Sequence, residues 1–190
     1  MSGAGYRTVV DGEWCADPAH QLRWDRTVSF LRGVPVSVPP PSAGLDIGDR
    51  TPMTARLEEL YGCRFDSTFA DLDVGSLEGN YQIVTAFEVL EHLYNPLHLL
   101  LEVRKVLACE TSSRLFVSTP AWKPSILQSP DHFHEMTRRS LESLIDRAGF
   151  SVVRRDEFRI RPFLFCLTGF RPMLRCIFEK IRVYELAVRT

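Results

Sequence analysis

Four stretches hold residue types that could do chemistry. "DHFHE", residues 131–135, contains the only clustered histidines. An imidazole ionises near neutral pH, so His132 or His134 could take a proton from an acceptor hydroxyl, with Asp131 or Glu135 orienting the ring. The competing reading is that these histidines tie down a long connection between a strand and a helix. "FEVLEH", residues 87–92, sets Phe87 and Glu88 at the end of an apolar run, with Glu91 and His92 just beyond. Acids suit the start of a helix, and an i,i+4 contact could join Glu88 to His92. "FADLD", residues 69–73, puts Asp71 and Asp73 on alternate positions. Carboxylates there can accept hydrogen bonds from sugar hydroxyls or simply shape a polar turn. "LDIGDRT", residues 45–51, offers Asp46, Gly48 and Arg50. One glycine permits a close backbone approach, and an arginine at a helix start opposes the helix dipole unless an anion offsets it. These groups do not assemble into a recognisable zinc-ligand pattern, so no metal is expected.

The elements that must position these residues are legible from periodicity. Residues 13–32 suggest a leading helix, with Leu22, Val28 and Leu31 near one face and Asp17-Pro18 as its start. Pro39-Pro40-Pro41 cannot be helical and marks a connector over residues 33–44. From Gly44 onward, strand and helix alternate. Leu45 to Gly48 is a strand. Pro52 to Tyr61 is a helix, capped by Thr51 and stopped by Gly62. Strands follow at 63–69, 81–87 and 114–119, then at 150–160 and 183–189. Helices fill 96–107 and 137–148. This order predicts βαβ units and a mostly parallel sheet, and ligands of such sheets sit at the carboxyl ends of the strands. Gly48, Phe87 and Thr119 each end a strand, so the four stretches should meet along one edge.

Composition narrows the function further. The 190 residues carry a net charge of −1, which gives no support to nucleic-acid binding. Five widely spaced cysteines without a CxxC pair argue against a disulfide framework and fit a reducing, cytoplasmic setting. Met1 to Asp11 has no signal-peptide pattern, and no apolar run suggests a transmembrane segment. Residues 1–42 read as a helical arm with its connector, and residues 43–190 as one globular unit.

With these residues in view, the chain resembles a short class I S-adenosylmethionine-dependent methyltransferase. "YQIVTAFEVLEHLYNPLHLLLEVRKVL" is similar to that family's fourth strand and following helix, with "FEVLEHL" the most specific piece. "RLFVSTP" resembles its fifth strand, and "HFHEMTRRSLESLIDRAGFSVV" the helix and strand after it. The likeness covers roughly Gly44 to Ile160. It implies an α/β, Rossmann-like three-layer sandwich with helices on both faces. It also implies S-adenosylmethionine as cofactor, bound by Asp46, Gly48, Arg50, one of Asp71 and Asp73, Phe87 and Glu88. Two departures stand out. Asp49, Arg50 and Thr51 occupy positions where the family has small residues. Only 32 residues separate Gly48 from Tyr81, where the family fits two strands and two helices, so one helix–strand unit should be missing.

The expected reaction is methyl transfer to a small-molecule acceptor, at oxygen, with His132 or His134 as base. The alternative is a methyltransferase-like domain that has lost its donor site and serves as a binding or scaffolding partner. The apolar tail, residues 158–181, has Phe163, Leu167, Phe170, Leu174, Ile177 and Ile181 on one helical stripe, broken near Gly169-Pro172. It packs on the core, or lids an apolar substrate, or meets a second copy or a membrane surface.

Overall fold

A computed structural model describes residues 15–33, 41–161 and 163–189. Trp14, the prolines at 39 and 40, and most of the connector lie outside the described residues.

Six strands form one sheet. They are β1 (Ala43–Asp46), β2 (Arg64–Ser67), β3 (Ile83–Phe87), β4 (Arg114–Pro120), β5 (Phe150–Arg159) and β6 (Lys180–Val188), in spatial order β2-β1-β3-β4-β6-β5. The first four strands pair in parallel. Strand β6 runs antiparallel between β4 and β5. Among the described residues the α-helices are α1 (Pro18–Arg32), α2 (Pro52–Tyr61), α3 (Pro96–Val106), α4 (Arg138–Arg147) and α5 (Phe170–Phe178). Between Gly48 and Tyr81 lie one helix and one strand, α2 and β2, so the sheet is short on that side. Strand β2 is therefore an outer edge, with Phe65 buried and Arg64 and Asp66 exposed.

Two hydrophobic cores lie on the two sheet faces. On one, Trp24, Val28 and Leu31 of α1 and Met53 and Leu57 of α2 pack against Phe65, Ile83, Phe116 and Val183. On the other, Leu99, Leu100 and Val103 of α3 and Leu141 and Ile145 of α4 pack against Leu45, Val84, Leu115 and Leu186. This is the expected three-layer α/β arrangement. Burial runs almost unbroken along β3 and β4, with successive side chains entering one core and then the other, because both faces of a central parallel strand are covered.

The helix boundaries follow local chemistry. Asp17 caps α1 by accepting from the Ala19 amide at 2.7 Å. Thr51 accepts from the Met53 amide at 3.1 Å, Pro52 occupies the first turn, and Gly62 closes α2 at φ 66°. The stripe from Phe163 to Ile181 is broken at Gly169, φ 149°, as its sequence implies: a 3-10 turn, Phe163–Thr168, lies before it and α5 after it. Two expectations are corrected. The last strand begins at Lys180 rather than at 183, so Ile181 belongs to β6 and not to a helix. The surface of α5 leaves Phe170, Met173 and Ile177 exposed rather than in the core. Cysteine usage also differs. Cys15, Cys63 and Cys109 are free thiols, but Cys176 is disulfide-bonded.

Candidate active site

The carboxyl ends of β1, β3 and β4 bring the chemistry-bearing stretches together. Asp46 ends β1 and is buried. Its two oxygens accept from the Thr54 and Thr85 hydroxyls, each at 2.6 Å. Burial pushes its carboxyl upward, against those two hydrogen bonds. Thr54 also accepts from the Thr51 amide at 3.0 Å, so the first turn of α2 is bolted to the end of β1. Asp46 thus faces inward and shapes the turn. Gly48 follows at φ 110°, with nothing within 4 Å of the position a Cβ would take. Its amide donates to Thr68 Oγ1 at 2.8 Å, and its carbonyl accepts from the Thr68 amide at 3.2 Å, which ties the turn to the end of β2. The result is a braced backbone turn with open space above its glycine.

Arg50 does not lean over that space. It folds back along α2, donating to Glu58 Oε2 at 2.5 Å and to the Phe65 carbonyl at 3.4 Å. Asp71 caps its own turn, accepting from the Asp73 amide at 3.0 Å, and is exposed. Asp73 accepts from the Asn95 amide at 2.6 Å, linking the loop after β2 to the start of α3.

Phe87 ends β3, half-buried against the α1–α2 core. Glu88 comes next at φ 56°, the only non-glycine with positive φ among the described residues. Such a conformation costs about 1–3 kcal/mol and persists where surrounding contacts hold it. The holding contacts are visible. The Glu88 amide donates to the Ser118 carbonyl at 3.0 Å, Ser118 Oγ donates to Oε1 at 2.8 Å, and Arg23 of α1 pairs with Oε2 at 2.9 Å. Glu88 therefore engages Arg23 rather than His92.

Glu91 and His92 sit in the 3-10 turn Leu90–His92. Glu91 is fully buried, and burial together with the neighbouring Glu88 charge pushes its carboxyl well up. His92 is pulled down by burial, and its Nδ1 sits 2.9 Å from the Asp131 carbonyl. The segment 131–135 lies directly against this turn: the Phe133 amide donates to the Glu91 carbonyl at 2.7 Å. His132 Nδ1 is 2.8 Å from Glu135 Oε1, and Lys123 Nζ is 3.0 Å from the same oxygen. Burial pushes Glu135 up, but the His132 and Lys123 contacts outweigh it and hold the carboxyl below its ordinary range. His134 sits apart, 3.3 Å from the Tyr94 carbonyl. Tyr94 and Phe133 stack at 4.0 Å on the exposed side of this segment. The structure thus unites His132 with Glu91 and His92 and leaves His134 on the backbone of the next loop.

Several partners were not readable in advance. Arg23 reaches the edge from α1 across 65 positions. Thr68 and Lys123 carry no pattern of their own. Thr85 alone had a signal, as a hydroxyl inside the otherwise apolar "IVTAF".

Comparison with known proteins agrees with this architecture. The Methyltransferase domain family profile matches residues 23–155, well over half of the chain. No curated protein matches the sequence at a significant level. Solved structures do match in fold. A putative methyltransferase from Bacillus halodurans superposes with a TM-score of 0.65 at 10% identity, covering 87% of this chain and 100% of its own. The N-methyltransferase NodS from Bradyrhizobium japonicum, in complex with S-adenosylhomocysteine, gives 0.60 at 13% identity over 96% of this chain and 94% of its own. The O-methyltransferase of a trans-AT polyketide multienzyme from Brevibacillus brevis, also with S-adenosylhomocysteine, gives 0.60 at 11% identity, covering 87% and 72%. On the profile match, with the fold in agreement, this chain belongs to the methyltransferase-domain family, as a short class I S-adenosylmethionine-dependent methyltransferase.

Proposed function

We propose that the protein transfers the methyl group of S-adenosylmethionine to an oxygen of a small-molecule acceptor at the carboxyl edge of β1, β3 and β4. The observation that carries this reading is the Gly48 turn: a rigidly braced backbone with open space where any other residue would project a Cβ. That is what a ligand tail in contact with backbone requires. The donor set fits the cofactor as well. Asp71 offers an exposed carboxylate for ribose hydroxyls, with Asp73 fixing the loop that carries it. Phe87 and Glu88 stand at the end of β3 on the same edge, and Arg50 steadies the turn from outside through Glu58.

When bound, the sulfonium of the cofactor supplies an activated methyl group. The chain's own work is to align the acceptor, exclude water and accept a proton. His132, oriented through Nδ1 by Glu135, is the base that receives the acceptor's hydroxyl proton at its other ring nitrogen. His134 is the second candidate, displaced toward Tyr94. Structural neighbours include enzymes acting at oxygen and at nitrogen, so the choice of oxygen rests on the His132–Glu135 pair. We take residues 1–42 as an arm whose helix α1 covers this edge through Arg23, and 43–190 as the catalytic unit. The exposed Phe170, Met173 and Ile177 of α5 are the face for an apolar acceptor, a second copy or a membrane surface. The three free thiols support a cytoplasmic setting, and the Cys176 disulfide is the observation against it.

Calorimetric titration of the folded chain with S-adenosylmethionine and S-adenosylhomocysteine tests the reading. Saturable binding of both, weakened by Asp71→Ala with the fold retained, is expected. No binding of either at millimolar concentration overturns it in favour of a scaffolding domain.

A further inference from the structure

We propose that Glu91, His92 and His132 form a binding site for a divalent transition-metal ion of zinc-like ligand preference. One carboxylate oxygen and one nitrogen from each ring lie within 4.8 Å of one another. The two imidazoles meet edge to face with centroids 4.9 Å apart. A tetrahedral set at ~2.1 Å bond lengths has ligand atoms about 3.4 Å apart, so side-chain rotation closes the remaining gap.

Three features separate this cluster from chance proximity. First, both rings are prepared as ligands. A backbone carbonyl only accepts, so the His92 contact with Asp131 places its proton on Nδ1 and leaves Nε2 with a free lone pair. His132 makes the equivalent contact to the Glu135 carboxylate. A ring held by a carbonyl or carboxylate through its far N–H is how proteins fix metal-binding imidazoles. Second, Glu91 is completely buried and only half satisfied. Thr119 donates to Oε2 at 3.3 Å, whereas Oε1 has no partner. A buried carboxylate oxygen left bare is costly, and a cation offsets that cost. Third, the backbone holds the two ligand segments together, with the amides of Phe133 and His134 both donating to the Glu91 carbonyl. The ligands need not be recruited from distant loops.

Two imidazoles and one carboxylate suit zinc, cobalt or iron(II) and leave coordination positions open, unlike a closed structural site. An acceptor hydroxyl taking one such position would release its proton to solvent more readily. His132 then serves as a ligand, and the bound cation assumes the activation otherwise assigned to a base. That catalytic role rests on the methyl-transfer reading above; the binding of the ion does not.

The test uses the full chain stripped of metal with a chelator and titrated with cobalt(II). The expected result is one equivalent bound with the visible absorption of a four- or five-coordinate site and no thiolate charge-transfer band, which excludes Cys15, Cys63 and Cys109. His92→Gln and His132→Ala, with the fold checked by circular dichroism, should each weaken binding by more than about 100-fold, and Glu135→Gln by about 10–100-fold. His98→Ala, on α3 with its ring at the Gly75 carbonyl, should bind as wild type does. Absence of saturable absorption in folded wild type overturns the proposal, and so does cobalt binding unaffected by His92→Gln and Glu135→Gln. Titrating the same samples with S-adenosylhomocysteine separates the two readings. Cofactor binding without metal binding sinks this site alone, and metal binding without cofactor binding sinks the donor site alone.

Discussion

Gly48→Ala tests the proposed donor turn. Gly48 sits at φ 110° with nothing within 4 Å of its Cβ position, so an added methyl meets no protein atom. The stability cost is then backbone strain alone, about 1–3 kcal/mol. For a domain of this size each kcal/mol lowers Tm by roughly 2–4 °C, so a fall of about 2–12 °C is expected. Cofactor affinity should suffer separately. A methyl placed where a ligand must pack costs about 1–3 kcal/mol, or roughly 5- to 150-fold in Kd. Gly62→Ala supplies the matched control. Gly62 has φ 66°, also faces nothing within 4 Å, and closes the far end of α2. It should lose comparable stability with no change in S-adenosylhomocysteine affinity. Differential scanning calorimetry and isothermal titration on both variants read the two effects independently. If Gly48→Ala binds the cofactor product within twofold of wild type, Gly48 does not border the donor, and the argument from open space is wrong.

Two further perturbations test the frame around the site. Asp46→Asn keeps shape but sets an amide donor against one of two buried threonine hydroxyls. It should destabilise by about 1–3 kcal/mol in chemical denaturation, and an unchanged midpoint would show that Asp46 does not clamp α2 to β1. Glu157 governs an acid transition. Burial pushes its carboxyl up, but Lys180 and Arg182 outweigh this and hold it at about 2 rather than 4.5. The native carboxylate therefore gains its proton later than the unfolded one. Its stabilisation is full above pH 4.5 and drains away as pH falls toward 2. Glu157→Gln should flatten stability against pH across that window, and an equally steep decline in the variant would assign the loss to other acids.

Most of the frame was legible because its signals are local. Thr51, Pro52 and Gly62 bound α2 through capping and turn chemistry that needs no tertiary partner. The apolar runs at 81–87 and 114–119 could be little other than central strands. The site was legible by position and not by contact. Asp46, Gly48, Glu88 and His132 do gather at one edge, but what each touches depends on residues remote in the chain. Glu88 meets Arg23 of α1, 65 positions away in the chain, rather than His92. Arg50, just before α2, finds Glu58 about two turns into that helix, a contact that competes with any anion above the turn. The convergence of Glu91, His92 and His132 was invisible for the same reason: 131–135 docks on the 3-10 turn through backbone hydrogen bonds, which leave no side-chain pattern. The break of the tail at Gly169 was legible, but the start of β6 at Lys180 was not, because Ile181 keeps helical spacing while it pairs with Pro120 in the sheet.

The short sheet has a consequence for how the protein behaves among its own copies. With one helix–strand unit fewer, β2 is left as an outer edge, and side chains cover its middle: the Phe65 amide donates to Glu58 Oε1 at 3.1 Å and the Phe65 carbonyl accepts from Arg50 at 3.4 Å. An uncovered edge would invite another chain to add a strand, the first step toward aggregation. The strand answers this by being only four residues long and by holding Arg64 and Asp66 in solvent on either side of Phe65. A visiting strand would have to find register over a very short ladder and strip water from two opposite charges. Economy in the fold has thus shifted a protective duty onto Arg50, Glu58, Arg64 and Asp66, and apolar replacements at 64 and 66 would weaken that protection.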